Sequence, residues 1–321
     1  MTVLETDNLT KRYGTGERRV LAVDGLDVQI ESGEVFGFLG LNGAGKSTTI
    51  DMLLDYVRPT EGTATILGRD VHAESEELRR HIGVLPEGLD LYDRLTGRRH
   101  LEFAVDWKDA DDDADAILDR IGLSTADAAR TVGGYSKGMQ QRLALGMVLV
   151  GDPDLLLLDE PSSGLDPHGI RRMRNIVREE AADGTTVFFS SHILGEVEAV
   201  CDRVGILSEG RLVAVDDVES LRETVGAGSE LRLRVATDIP VDVSEIDGVA
   251  SVARAGRELR VTTDDPRAKA AVVARLVNRG VEVLDVDPDE PSLEDVFTAY
   301  TTGQERDGGE DDAPEAREVV A

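Results

Sequence analysis

The stretch Gly40-Leu41-Asn42-Gly43-Ala44-Gly45-Lys46-Ser47 decides how the rest of this 321-residue chain is read. It fits G-x-x-x-x-G-K-[ST] and stands between the apolar run Val35-Phe36-Gly37-Phe38-Leu39 and the helical pattern Thr48-Thr49-Ile50-Asp51-Met52-Leu53-Leu54. Strand, glycine loop and helix in that order form the setting the motif needs. Glycines at 40, 43 and 45 let successive backbone N–H groups turn inward on a phosphate with no Cβ in the way. The helix that follows adds the positive end of its dipole. The cradle is expected to run from Gly40 through Leu41, Asn42, Gly43, Ala44 and Gly45 to Thr48, with Lys46 against the outer phosphates. Ser47 is expected to offer its hydroxyl to Mg²⁺, a hard cation that takes one or two protein oxygens beside phosphate and water.

Length favours about two domains. No apolar run approaches the ~18 residues of a membrane span, and Met1-Thr2-Val3-Leu4-Glu5-Thr6-Asp7 lacks the charged and apolar regions of a signal peptide. A cytoplasmic location is expected. Cys201 is the single cysteine, which excludes an internal disulfide or a cysteine metal cluster and reads as a small buried apolar residue. The net charge of −29, from 64 acidic and 35 basic residues, argues against nucleic acid or an anionic membrane surface as a main partner. Lysine occurs only at 11, 46, 108, 137 and 269, while acids crowd Asp109–Asp115 and the C-terminal tail. This balance suggests solubility in concentrated salt, where self-repulsion is screened; a GC-rich genome with an acidic proteome is the competing account. Loss of structure on dialysis to low salt is the expected result, followed by circular dichroism, and full stability there would favour the competing account.

Residues 1–222 alternate strand and helix patterns, with a helical subdomain expected over about 88–150. Arg222–Ser229 reads as a linker. In a second domain, over 223–302, Leu231, Leu233 and Val235 alternate with polar neighbours, as do Leu259 and Val261. Ala270, Val273, Ala274 and Val277 share one helical face, and Val281–Val286 returns as a strand. Residues 303–321 are too polar to bury anything, so a disordered tail is expected. The fold class is α/β: a phosphate-loop core with an inserted helical subdomain, then a small C-terminal α+β domain.

Three further stretches give the glycine loop its chemistry. Leu155-Leu156-Leu157-Leu158-Asp159-Glu160-Pro161 has the pattern of a buried parallel strand tipped by two acids, at the edge where open α/β sheets bind ligands. Asp159 is placed to hold the Mg²⁺ shell, and Glu160 to orient or deprotonate the water that attacks the γ-phosphate. Thr185–His192 is another core strand, which puts the His192 imidazole near the same phosphate. Ser136, before the helix containing Leu143–Val150, is a natural N-cap and opens a second anion site. One γ-phosphate does not occupy two sites on different subdomains of one chain, whereas two chains head to tail close both sites around two nucleotides.

Taken together, residues 1 to about 222 resemble the ATP-binding subunit of an ATP-binding cassette (ABC) transporter. The resemblance implies that Tyr13, in Lys11-Arg12-Tyr13-Gly14, stacks on adenine. It implies that Ser136 and Gly138 contact the partner's γ-phosphate, and that Ser162-Ser163-Gly164-Leu165-Asp166-Pro167 crosses a dimer interface with Asp166 in the other chain's site. His192 matches the switch histidine. Two departures stand out. Glu87, in Ile82-Gly83-Val84-Leu85-Pro86-Glu87, occupies the usual glutamine position, which reaches Mg²⁺ and the membrane partner; it keeps the oxygen but loses the amide donor. Tyr135, Lys137 and Met139 replace the usual Leu, Gly and Gln.

Both departures are similar to the branch serving ABC-2 type exporters, as is Pro291-Ser292-Leu293-Glu294-Asp295-Val296-Phe297 near the end of the appendage. The resemblance therefore implies ATP and Mg²⁺, a second copy of the chain or a homologous ATPase as partner, and a separate integral-membrane permease. It places the chain in the cytoplasm, peripheral on the membrane's inner face. The alternative is a soluble ABC ATPase acting on ribosomes or DNA. Such proteins typically carry two cassettes or a coiled coil with metal-binding cysteines, and need basic surfaces, none of which suits this composition. A nucleotide-binding scaffold without activity is a third reading, against which Asp159, Glu160 and His192 speak.

Overall fold

The computed structural model describes residues 1–225, 229–236, 241–289 and 292–302. The acidic tail, residues 303–321, lies outside the described residues. The chain divides into two compact units, Met1–Val218 and Glu219–Ala321.

In the first unit, every residue of the Val35–Gly40 strand is buried. It pairs in parallel with Thr186–Ser191 on one side and Arg203–Ser208 on the other. Leu155–Asp159 and Ile82–Leu85 extend the sheet in parallel, and Arg211–Asp217 closes the opposite edge antiparallel. Strands covered on both faces read as unbroken apolar runs, which is how 35–39 and 155–158 look in the sequence. Register then fixes the site. Phe38 stands opposite Ser190, Ser190 opposite Asp159, and Leu85 opposite Leu158. The residues that follow these strands, 41–45, 192, 160 and 86–87, therefore leave the sheet along one edge, its carboxyl end.

The core beneath that edge is aromatic. The Phe188 ring centroid lies 6.1 Å from that of Phe36 and 5.1 Å from that of Phe38, and burying each ring contributes roughly 2–3 kcal/mol. Cys201 is half-buried, and desolvation pushes its thiol up. A four-stranded antiparallel sheet, in the order Val20–Glu31, Thr2–Tyr13, Glu61–Ile66, Arg69–Asp70, belongs to the same unit. Between Leu85 and Leu155 run the helices Gly97–Lys108, Ala114–Ile121, Thr125–Ala128 and Lys137–Val148. The side chains of Thr96, Asp113, Ser124 and Ser136 each accept a backbone N–H at their starts.

The second unit is an antiparallel sheet in the order Val249–Ala255, Glu258–Thr263, Ser229–Val235, Val283–Asp289, with the helix Pro266–Asn278. Leu231, Leu233, Val235, Leu259 and Val261 are buried as their alternation predicts. The helix presents a different face from the one expected. Ala268, Val272 and Leu276 are buried and Val273 is half-buried, while Ala270 and Ala274 are exposed and Val277 is 56 % exposed. The i, i+4, i+8 stripe ending in Leu276 brings more apolar volume to the sheet than a stripe carried partly by alanines. The expected linker is also shorter at its start, because the helix Val218–Val225 runs through Arg222 and buries Leu221.

Candidate functional site

One cleft opens at the carboxyl edge of the parallel sheet. It is lined by Leu41, Asn42, Gly43, Gly45, Lys46, Ser47 and Thr48 from the loop and helix start, by Glu87, Asp159 and Glu160 from neighbouring strand ends, and by Ala22. Gly40 and Ala44 shape it from behind: the Gly40 carbonyl accepts from Lys46 Nζ at 2.7 Å, and Ala44 N donates to the Leu41 carbonyl at 3.1 Å. Gly45 is required by its backbone, since φ is +111° and a Cβ would stand 2.4 Å from the Ala22 carbonyl oxygen. Gly43, at φ +84°, would point a Cβ into open space, which leaves the concave side of the loop free for a phosphate.

Of the charged side chains in this cleft, Lys46, Asp159 and Glu160 are buried and Glu87 is exposed. Lys46 is 6 % exposed and Glu160 also 6 %, with Lys46 Nζ 3.6 Å from Glu160 Oε1. Glu160 Oε1 is buried and has no hydrogen-bond partner. Its other oxygen, Oε2, pairs with His192 Nδ1 at 2.8 Å. The Glu160 backbone is left-handed at φ 48°, a conformation that costs a non-glycine residue about 1–3 kcal/mol. Its N–H donates to the Ser190 carbonyl at 3.2 Å, and its own carbonyl accepts from Ser163 N at 3.1 Å. Ser190 Oγ donates to Asp159 Oδ1, so the two acids are held by the adjacent strand. Burial first, and the Asp159 charge second, push the Asp51 carboxyl on the loop's helix up.

The fit to a magnesium nucleotide rests on these observations. The loop is concave, a buried carboxylate oxygen has its acceptor capacity unspent, and the hard donors at hand are the Ser47 hydroxyl and the Asp159 and Glu87 carboxylates.

A second cleft is lined by Ser136, Lys137, Gly138, Arg142, Gly164, Leu165 and Asp166. Ser136 Oγ accepts from Met139 N at 3.3 Å, and Asp166 Oδ1 accepts from Gly169 N at 2.7 Å, so each caps a helix there. A Cβ on Gly138 would lie 3.1 Å from the Gly164 carbonyl oxygen, which shows how closely the helix start approaches the loop. Most of the expected site residues thus fall into two groups, while His192 lines neither cleft and meets the first only through Glu160. Residues 160–167 join them, with Glu160 in one cleft and Gly164–Asp166 in the other. Tyr13 lines neither cleft. It is 40 % exposed at the end of its strand, with Lys11 Nζ 5.0 Å from the ring centroid, and the strand beside it supplies Ala22. Ser190, whose hydroxyl donates to Asp159 and whose carbonyl accepts from Glu160 N, is a contributor that motif reading passed over.

The ABC transporter family profile matches residues 23–163, and that of the ATP-binding protein DrrA1-3-like C-terminal domain matches residues 217–301. The daunorubicin/doxorubicin resistance ATP-binding protein DrrA of Streptomyces peucetius is 35 % identical over 336 residues, covering 99 % of this chain and 98 % of that one. The bacitracin transport ATP-binding protein BcrA of Bacillus licheniformis is 34 % identical over 319 residues, covering 94 % and 98 %. Among solved structures, the ATP-binding subunit of an ABC transporter superposes with a TM-score of 0.62 at 30 % identity, covering 70 % of this chain and 93 % of that one. A dimeric ATP-binding cassette bound to ADP and Pi shares the fold at 24 % identity and a TM-score of 0.62, covering 67 % and 98 %. The chain therefore belongs to the ATP-binding subunits of ABC transporters, ATP hydrolases, and falls with the drug-resistance and bacitracin-transport members of that family.

Proposed function

We propose that two copies of the chain meet head to tail around two ATP molecules, and that their closure drives a separate membrane permease of the ABC-2 exporter type. The observation that carries this is the division of the site into two clefts on one chain: a phosphate cradle with the acids, and a capped helix start with Asp166. The cradle holds the phosphates through its N–H groups and Lys46. Ser136 and Gly138 of the other copy meet the γ-phosphate, Asp166 reaches across between them, and Tyr13 stacks on adenine. Ser47 and Asp159, with Glu87 nearby, would hold Mg²⁺, which would neutralise charge on the phosphate oxygens.

Glu160 Oε1 accepts a proton from the water whose oxygen attacks the γ-phosphorus; the bond to the β–γ bridging oxygen breaks and ADP and phosphate leave. His192 holds Glu160 by Oε2, which leaves Oε1 without a hydrogen bond and free to accept the proton. Closure is driven because ATP contacts the closed pair better than the open one, and hydrolysis removes that difference.

No described helix is long and apolar enough to cross a membrane. We propose that the work is done through a membrane partner, as the similarity to transport ATP-binding proteins suggests, with the chain on the cytoplasmic face of the membrane. Phe103 and Trp107 on the Gly97–Lys108 helix, 53 and 80 % exposed with their rings stacked at 6.3 Å, and the exposed Leu89 and Tyr92 before it are the apolar side chains offered to the permease. Co-expression with a span-rich permease should recover the two together in detergent, and Trp107→Ala with Phe103→Ala should cut recovery about tenfold with the isolated chain's ATP turnover unchanged. Exclusive recovery with ribosomes would overturn the transporter reading.

A further inference from the structure

Glu196 lies in the short helix Leu194–Val200, lines neither cleft, and is only 3 % exposed. Burying a carboxylate is costly unless its oxygens are used. Here both partners are hydroxyls and both donate to the same oxygen: Ser162 Oγ reaches Glu196 Oε2 at 2.5 Å and Ser191 Oγ reaches it at 3.4 Å. Ser162 is 5 % exposed and Ser191 is fully buried. The two serines belong to different parts of the site. Ser162 sits in the loop between Glu160 and Asp166, whereas Ser191 ends the strand that delivers His192 and also accepts from Ile193 N at 3.0 Å.

We propose that Glu196 is a positioning residue that fastens the 160–167 loop to the strand end at His192, holding the Glu160–His192 pair in register and the Asp166 end of the loop in place. The proposal rests on the roles given above to Glu160, His192 and Asp166. A left-handed Glu160 needs such support, since its strained backbone relaxes if the residues on either side of it are released. The Leu194–Val200 helix that carries Glu196 is itself held, because Arg174 Nη2 on the Pro167–Ala182 helix donates to the Gly195 carbonyl at 3.2 Å. One buried oxygen thereby links the loop that joins the two clefts to the strand end that carries His192.

The test is steady-state ATP hydrolysis and fluorescent-ATP binding by the full chain, with folding followed by circular dichroism and Tm. Glu196→Leu removes both hydrogen bonds and should lower kcat about tenfold with nucleotide affinity within about twofold. Glu196→Gln keeps a carbonyl oxygen for both hydroxyls and should recover most of the loss. Ser162→Ala removes only the link to the loop, should lower kcat about fivefold, and should add nothing in the Glu196→Leu background. Should Glu196→Leu fail to fold, Ser162→Ala and Glu196→Gln carry the test. Parental kcat in Ser162→Ala, a Glu196→Gln rate as poor as that of Glu196→Leu, or an equal loss of binding and turnover would each overturn the proposal. A full rate in Glu160→Gln would instead overturn the catalytic assignment on which it rests, so the two failures are distinguishable.

Discussion

Glu160→Gln is expected to lower ATP turnover by about a thousandfold while nucleotide binding stays within about threefold. The substitution keeps the shape of the side chain and an oxygen for the contact now made with His192 Nδ1 at 2.8 Å. What it removes is the basic lone pair on Oε1, which among the described side chains of the cleft is the buried oxygen without a hydrogen-bond partner. Lys46 Nζ also loses a carboxylate at 3.6 Å, which frees its charge for the phosphates and favours binding. With ATP held and not cleaved, the variant should accumulate as a dimer. Phosphate release measured beside a fluorescent-nucleotide titration separates the two effects, and a parental rate would show that Glu160 is not the base.

Lys46→Ala should act at the opposite point, on binding. Its ammonium is the one described cation lining the phosphate cleft, and it is 6 % exposed. Truncating one partner of a buried charge contact costs roughly 2–5 kcal/mol, so ATP affinity is expected to fall about a hundredfold or more. The change also leaves the Glu160 carboxylate buried without its countercharge, which should lower Tm in the absence of nucleotide. Lys46→Arg should not restore binding, because the planar guanidinium is wider than an ammonium that now fits against the Gly40 carbonyl. Isothermal titration with ATP checks this, and an unchanged affinity would contradict the placement of Lys46 on the phosphates.

The parallel core and its edge were legible because each element announces itself locally. An apolar run that ends in Gly40, in Asp159-Glu160 or in His192 already says that the chain enters the core and leaves it beside a functional group. The cap at Ser136 was readable for the same reason. Contacts between distant segments were not. Nothing near Glu160 in the sequence signals its positive φ, the Ser190 carbonyl that holds its N–H, or the Glu196 carboxylate thirty-four residues from Ser162. The face of the Pro266–Asn278 helix was misread because an Ala- and Val-rich helix offers two apolar stripes. Sheet volume chose the one with Leu276, and only packing reveals that choice.

The central claim is that each ATP is bound by the cradle of one chain and the capped helix of another. It is tested most directly by mixing equal amounts of Lys46→Ala chains with Ser136→Phe chains, each inactive alone, and measuring ATP hydrolysis. A shared site predicts that every mixed pair regains one intact site, built from the unaltered cradle of the Ser136→Phe chain and the unaltered Ser136 of the Lys46→Ala chain. With random pairing the mixture should then reach about a quarter of the parental rate. A site complete within one chain predicts no activity at any mixing ratio, and that result would contradict the account.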